Sequence, residues 1–182
     1  IIFMLARFKG ATPEVMILTG IILGSLFSAG ITALQYFADD IEISSIVFWT
    51  FGDIGRASWR DFGILLMVVL ISMIIFLRNR WNYNALDAGD EMAKSLGVHV
   101  QGTRLTGMVT ASLATAVTVS FFGIIAFVGL VVPHIVRRVI GGDERFLIPA
   151  SALFGGMFLL VSDTVARTII APVVLPVGIL TS

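Results

Sequence analysis

Cysteine is absent from the 182 residues, charge is scarce, and the few charges cancel. Without a thiol there is no disulfide framework and no cysteine-based metal or redox site, and the compartment cannot be argued from thiols. A formal charge of zero leaves no footprint for nucleic acid. Charged residues make up 13% of the chain, against about 25% in a typical soluble domain. No GxxxxGK[ST] loop occurs, so the chain lacks that phosphate cradle for hydrolysing ATP. The two histidines, His99 and His134, stand far apart with no carboxylate cluster beside them, a poor basis for a metal site. His134, directly after Pro133, reads as structural. No clustered His, Asp or Glu set suggests a membrane-embedded enzyme. No charged residue falls inside the long apolar runs, where ion-coupled transporters and pumps usually need an ionisable group.

What is there is apolar. Hydrophobic residues are 57% of the chain and the mean hydropathy is +0.99. Runs without a formal charge cover Val15–Ala38, Phe62–Leu77, Leu105–Val136, Phe146–Ser162 and Thr168–Ser182. A spanning helix needs about 20 mostly apolar residues. In lipid every backbone amide must be paired internally, which leaves helices or closed barrels. The runs lack the alternation of barrel strands, so they predict an all-α polytopic membrane protein. The chain opens at Ile1 within one apolar segment and stops at Ser182 within another, so we expect it to be incomplete at both ends, one transmembrane domain over 1–182.

Basic residues set the expected topology. Arg7 and Lys9, then Arg78, Arg80, Lys94 and Arg104, then Arg137, Arg138 and Arg145 fall in three loops placed in the cytoplasm. Arg56, Arg60 and Arg167 are left outside, with Asp39, Asp40 and Glu42. A single helix over Leu105–Val136 would reach about 48 Å and put Arg104 and Arg137 on opposite sides. The run therefore splits near Ser120–Gly123. The expected spans are a tail before Arg7, then Pro13–Phe37 outward and Phe62–Leu77 inward. Leu105–Val119 follows outward, Ile124–Val136 inward and Leu147–Ser162 outward, and a last segment re-enters around Pro176. Trp49 and Trp59 mark the outer interface, and Trp81 and Tyr83 the inner one. Ile43–Gly52 is too short to span and reads as a surface helix. Gly20, Gly24, Ser28 and Thr32 recur every fourth residue, a stripe suited to helix packing.

Two polar elements remain. Asp163 and Arg167 are four apart with the acid first, an intrahelical pair that would hold the arginine at the outer rim. The loop 78–104 carries Asp87–Leu96, which reads as a short amphipathic helix stopped by Gly97. Met92, Ala93 and Leu96 lie near one face, and a docking role is open to it.

Four segments occur in a characteristic order: GDEMAKSLGV (Gly89–Val98), GIIAFVGLVVPHIVRR (Gly123–Arg138), SDTVAR (Ser162–Arg167) and LPVGILT (Leu175–Thr181). Together they resemble the FecCD family of ABC importer permeases, which serve iron–siderophore, haem and cobalamin uptake. The resemblance covers the whole chain as roughly the C-terminal half of a family member. It implies a helical bundle of the type II ABC importer permease kind, with about ten spans in the full subunit. It also implies a homodimer in a prokaryotic inner membrane, two ABC ATPase subunits that hold the ATP and Mg, and an external substrate-binding protein. This chain would carry no cofactor, metal or catalytic residue of its own. By the same likeness Gly89, Asp90, Glu91, Ala93, Leu96 and Gly97 form the coupling helix that meets the ATPase. Thr12, Pro13 and Thr19 line the translocation path and gate, although Pro13 and Glu14 stand where the family pattern has small hydroxyl residues. Arg167 matches a basic residue that docks the binding protein. The expected cargo is a metal chelate, iron–siderophore first; the competing expectation is a secondary transporter with its ion coupling in the missing half.

Overall fold

A computed structural model describes residues 13–169 and 174–182, with side chains from residue 17 onward. The chain divides into two compact units, residues 1–47 and 48–182. The described residues are helical with no strand. Among the described residues, four helices are long and apolar enough to cross a membrane.

In the first unit, α1 runs Pro13–Phe37. Proline suits a helix start, where its missing N–H would have no partner. The 25 residues rise about 37 Å, enough to cross the hydrocarbon core. Asp39 ends the connection and starts α2, Asp40–Thr50. Its carboxylate accepts from the N–H groups of Ile41 (3.1 Å) and Glu42 (2.9 Å), and Glu42 accepts in turn from the N–H of Asp39 (3.3 Å). This reciprocal cap explains the cluster of acids there by local structure. The tail before Arg7 lies outside the described residues.

The second unit begins as α2 ends. After a 3-10 turn at Ile54–Arg56, α3 spans Trp59–Asp87, capped by Ser58 and Asp61 in the same reciprocal way. This helix is longer than the Phe62–Leu77 expected. The apolar run ends at Leu77, but the helix continues nearly three more turns, through Arg78, Arg80 and Leu86 to Asp87, because no glycine or proline interrupts it before Gly89. The segment 78–104 is consequently mostly helical, with α4 at Asp90–Ser95 and α5 beginning at Val100.

Helix α5 runs Val100–Phe122 and takes its cap from His99, whose Nδ1 accepts from the Gly102 N–H at 3.0 Å. It ends at Gly123, so the long apolar run does split. The next helix, α6, is Val128–Ile140, which corrects the Ile124–Val136 expected. Residues 124–127 are apolar yet non-helical, and Phe127 adopts a left-handed backbone (φ 62°) that ends one element before the next begins. At 13 residues α6 rises about 20 Å, less than a full crossing. Helix α7, Glu144–Thr168, starts at an Asp143 cap and returns antiparallel to α6. The pair packs through Val132, Val136 and Leu147, with Val128, Ala150 and Phe158 around them. The described residues after Pro176 form α8, Val177–Thr181.

One end of this unit closes on glycine. Gly52, Gly123 and Gly178 bring three segments into backbone contact. The Asp53 N–H donates to the Phe122 carbonyl (2.8 Å) and the Gly178 N–H to the Gly52 carbonyl (3.2 Å). A methyl group on Gly123 would run into the Trp49 carbonyl oxygen, and one on Gly178 into that of Phe51. Only residues without Cβ permit this approach. Val177 and Thr181 are buried beside it.

Candidate functional site

The end opposite the glycine junction carries the polar chemistry. Helix α4 is fixed at both ends by backbone that favours glycine: Gly89 has φ 106° and Gly97 φ 81°. At its C-terminus the Val98 N–H donates to the Ala93 carbonyl (2.9 Å) and the Gly97 N–H to that of Lys94 (2.9 Å), the paired pattern of a Schellman stop. Ala93 is fully buried against Ala85 and Val100, with Leu86 and Val98 beside them. The face differs from the sequence expectation in one respect. Ala93 turns inward, whereas Leu96 is 66% and Met92 54% exposed. Asp87 belongs to α3, so the helix expected over Asp87–Leu96 is shorter. Asp90 pairs with Arg104 at 2.7 Å, and Glu91 with Lys94 at 2.8 Å. The ammonium of Lys94 pulls the Glu91 carboxyl below its ordinary pKa, and Glu91 raises that of Lys94. The result is a rigid tab with a charged flank and two bare apolar side chains.

Beside it lies a network that the sequence reading missed. Arg137, in the last turn of α6, reaches Glu144 at 2.7 Å and Asp87 at 3.5 Å. Asn84 donates to Asp143 (2.9 Å) and accepts from the Glu144 N–H (2.7 Å), joining the end of α3 to the start of α7. Arg145 grips both oxygens of Asp143 and lies over the Trp81 ring, 4.5 Å from its centroid. Basic residues near helix ends had served only to orient the chain. The available signal was only that Arg137, Asp143 and Glu144 fall in one short loop and Asp87 in another expected on the same side.

Asp143 caps α7 and holds its proton far less readily than an ordinary carboxylate, first through the Arg145 guanidinium, then through Asn84 and the Arg145 N–H. A depressed folded-state pKa gives stabilisation that is complete above about pH 4 and fades as pH falls below it. Asp143→Ala should therefore lower the melting temperature by a few degrees at pH 7. The gap between variant and wild type should narrow under acid. A gap that is unchanged at pH 3, read by thermal unfolding in detergent, would contradict this account.

Two cavities border the network. One of about 450 Å³ is lined by Phe76, Arg137, Glu144, Leu147 and Ser151, among others. The other, about 430 Å³, is lined by Tyr83, Asp87, Arg104 and Glu144, with Phe76, Leu86 and Ile148.

At the glycine end, Arg167 in the last turn of α7 binds Asp163 through Nε at 2.7 Å. Its side chain is 46% exposed, and its guanidinium edge lies against Gly55. Arg167 and the tab are therefore at opposite ends of the unit. Thr12 lies outside the described residues, as does the side chain of Pro13; Thr19 lies in the second turn of α1. Arg104 and Arg137 fall at one end, as a split of the Leu105–Val136 run requires.

The profile of the FecCD transport family matches residues 1–182. A protein of Methanocaldococcus jannaschii, assigned as an ABC transporter permease, is 60% identical over all of this chain and 52% of its own length. The hemin transport system permease of Yersinia pestis is 37% identical, again over all of this chain and 54% of its own. A solved structure assigned to the metal-chelate type of ABC transporter, in an inward-facing conformation, superposes with a TM-score of 0.87 at 32% identity, over 99% of this chain and 58% of that one. The chain thus spans about half the length of the relatives it matches.

Proposed function

The chain belongs to the FecCD transport family, and from that premise we propose that it is part of the transmembrane permease of an ATP-driven importer of a metal chelate. The observation that carries this reading is the tab α4, seated on Ala93 and presenting Met92 and Leu96 outward where basic residues gather. Short loops rich in Arg and Lys stay in the cytoplasm, so this end faces the ATPase. ATP hydrolysis belongs to two separate cassette subunits, each receiving one tab of a permease homodimer in a prokaryotic inner membrane. Arg167, at the other end, docks an external binding protein. An iron–siderophore is the first cargo to test, with haem and cobalamin as competitors.

The test uses the full-length permease with its ATPase in liposomes. Labelled iron–siderophore should be taken up only with ATP, and the ATPase should co-purify. Uptake driven by an ion gradient without ATP hydrolysis would overturn the reading in favour of a secondary transporter.

Docking through Arg167 has its own outcome. Arg167→Glu places like charges across the interface and frees Asp163 from its pair. Binding-protein affinity should fall about tenfold at low salt and less at high salt. An acid-to-lysine change on the binding protein should partly restore it. Unchanged affinity with a lowered melting temperature would reduce the pair to a helix staple.

A further inference from the structure

We propose that Arg137 is the positioning residue that carries a displacement of α4 to the α6–α7 hairpin. The inference rests on the permease reading above and names the link inside it.

The tab is not free to move alone. Ala93 is packed on Ala85 of α3 and Val100 of α5, so a force on α4 displaces the end of α3 with it. Asp87 is the last residue of α3, three positions before α4 begins. Its carboxylate faces Arg137 on α6 at 3.5 Å, a loose contact beside the 2.7 Å bond from Arg137 to Glu144. One guanidinium thus has two carboxylates within reach, one moving with the tab and one fixed at the first residue of α7. A fork of five donors can shift weight between such partners without leaving either unpaired. Arg137 and Asp87 are both about half exposed, and Glu144 lines both cavities, so open space borders the set.

Downstream of Arg137 the structure is stiff. Val136, the preceding residue, is buried with Val132 and Leu147, so a pull on Arg137 moves α6 and α7 as one body. The Asn84 bonds to Asp143 and Glu144 form a second, shorter joint between α3 and α7. That joint is a pivot rather than a slider, since it uses one small side chain held at both its oxygen and its nitrogen. A pivot at Asn84 and an adjustable arm at Arg137 convert a shift of α3 into a tilt of the hairpin. A conformational change needs an element with two arrangements that both sites bias, and in the proposed link that part falls to the Asp87–Arg137–Glu144 set.

The experiment uses the full-length permease with its ATPase and binding protein in liposomes, and reads chelate uptake, ATP hydrolysis, ATPase co-purification and melting temperature. Arg137→Gln should keep the ATPase bound and hydrolysis within about twofold of wild type, while uptake per ATP falls about tenfold. Arg137→Lys, which keeps a charge but loses the fork, should recover part of that ratio. Asp87→Asn removes only the moving partner and leaves the Arg137–Glu144 bond, and it should lower the ratio too. It serves as the decisive variant if Arg137→Gln does not accumulate. Uptake per ATP at the wild-type value in Asp87→Asn, or a lowered melting temperature with that ratio unchanged, would overturn the proposal. Failure of the permease reading looks different: the wild-type chain itself would then bind no ATPase and show no ATP-driven uptake.

Discussion

Replacing Gly178 by alanine should nearly abolish accumulation of the folded protein. The added methyl group would meet the carbonyl oxygen of Phe51 and, close behind it, that of Ile124. Both obstacles are backbone, so no rotamer change relieves them. Overpacking a well-fitted site costs about 1–3 kcal/mol, and more where the neighbours cannot yield. Moving α8 away would also break the bond from the Gly178 N–H to the Gly52 carbonyl. Gly123→Ala should be at least as harmful, because it adds a strained left-handed backbone (φ 75°) to the clash with Trp49. Against a total stability of about 5–15 kcal/mol, either loss is severe. Gly156→Ala is the control, since its Cβ would point into open space in the middle of α7, where alanine favours the helix. Membrane yield and melting temperature in detergent measure the effect. A Gly178→Ala protein as stable as the Gly156→Ala control would mean that the junction is looser than its geometry states.

Leu96→Asp should leave the membrane protein intact and disconnect it from its motor. Leu96 is 66% exposed and caps α4 only through its backbone, so its side chain contributes little to the fold. In the proposed complex the same side chain is covered by the ATPase. An unpaired carboxylate there would have to be desolvated, and loss of a central contact typically costs about 2 kcal/mol or more. We expect unchanged insertion and melting temperature, loss of ATPase co-purification by about thirtyfold or more, and no uptake. Ala93→Asp would give a different result, unseating α4 from Ala85 and Val100 and lowering stability as well. If Leu96→Asp retains the ATPase as wild type does, this helix is not the contact.

The parts of this structure legible in the sequence are those governed by local rules. Charge-free runs announce the four long helices, and Gly123 breaks the longest run where it was expected to break. The length of α3 was not legible in that way, because the end of an apolar run marks the edge of the lipid, whereas a helix continues while its residues allow. The late start of α6 has a tertiary cause. Residues 124–127 give up helical bonds because the Ile124 carbonyl lies at the glycine junction, against residues that are remote in sequence. The stop of α4 was readable from Gly97, but its start was not, because the helix expected over Asp87–Leu96 ran through Gly89, whose positive φ marks the true beginning. Its inner and outer faces were not, because six residues are too few for periodicity to separate Ala93 from Leu96. The Arg137 network joins residues 50 and 7 positions away, and Asn84 reaches 59 and 60 positions ahead. No pattern along the chain encodes such pairings.

The glycine junction also sets an order of events in biosynthesis. Gly52 and Gly123 leave the ribosome well before Gly178, and the helices between them can enter the bilayer one at a time. Until α8 is made, however, the carbonyl of Gly52 lacks its donor and the backbone of Phe51 its cover. Such long-range closure is slow to form and leaves the waiting chain exposed to misassembly. This end of the bundle therefore stays unlatched until α8 emerges, long after the other two segments of the junction have been made.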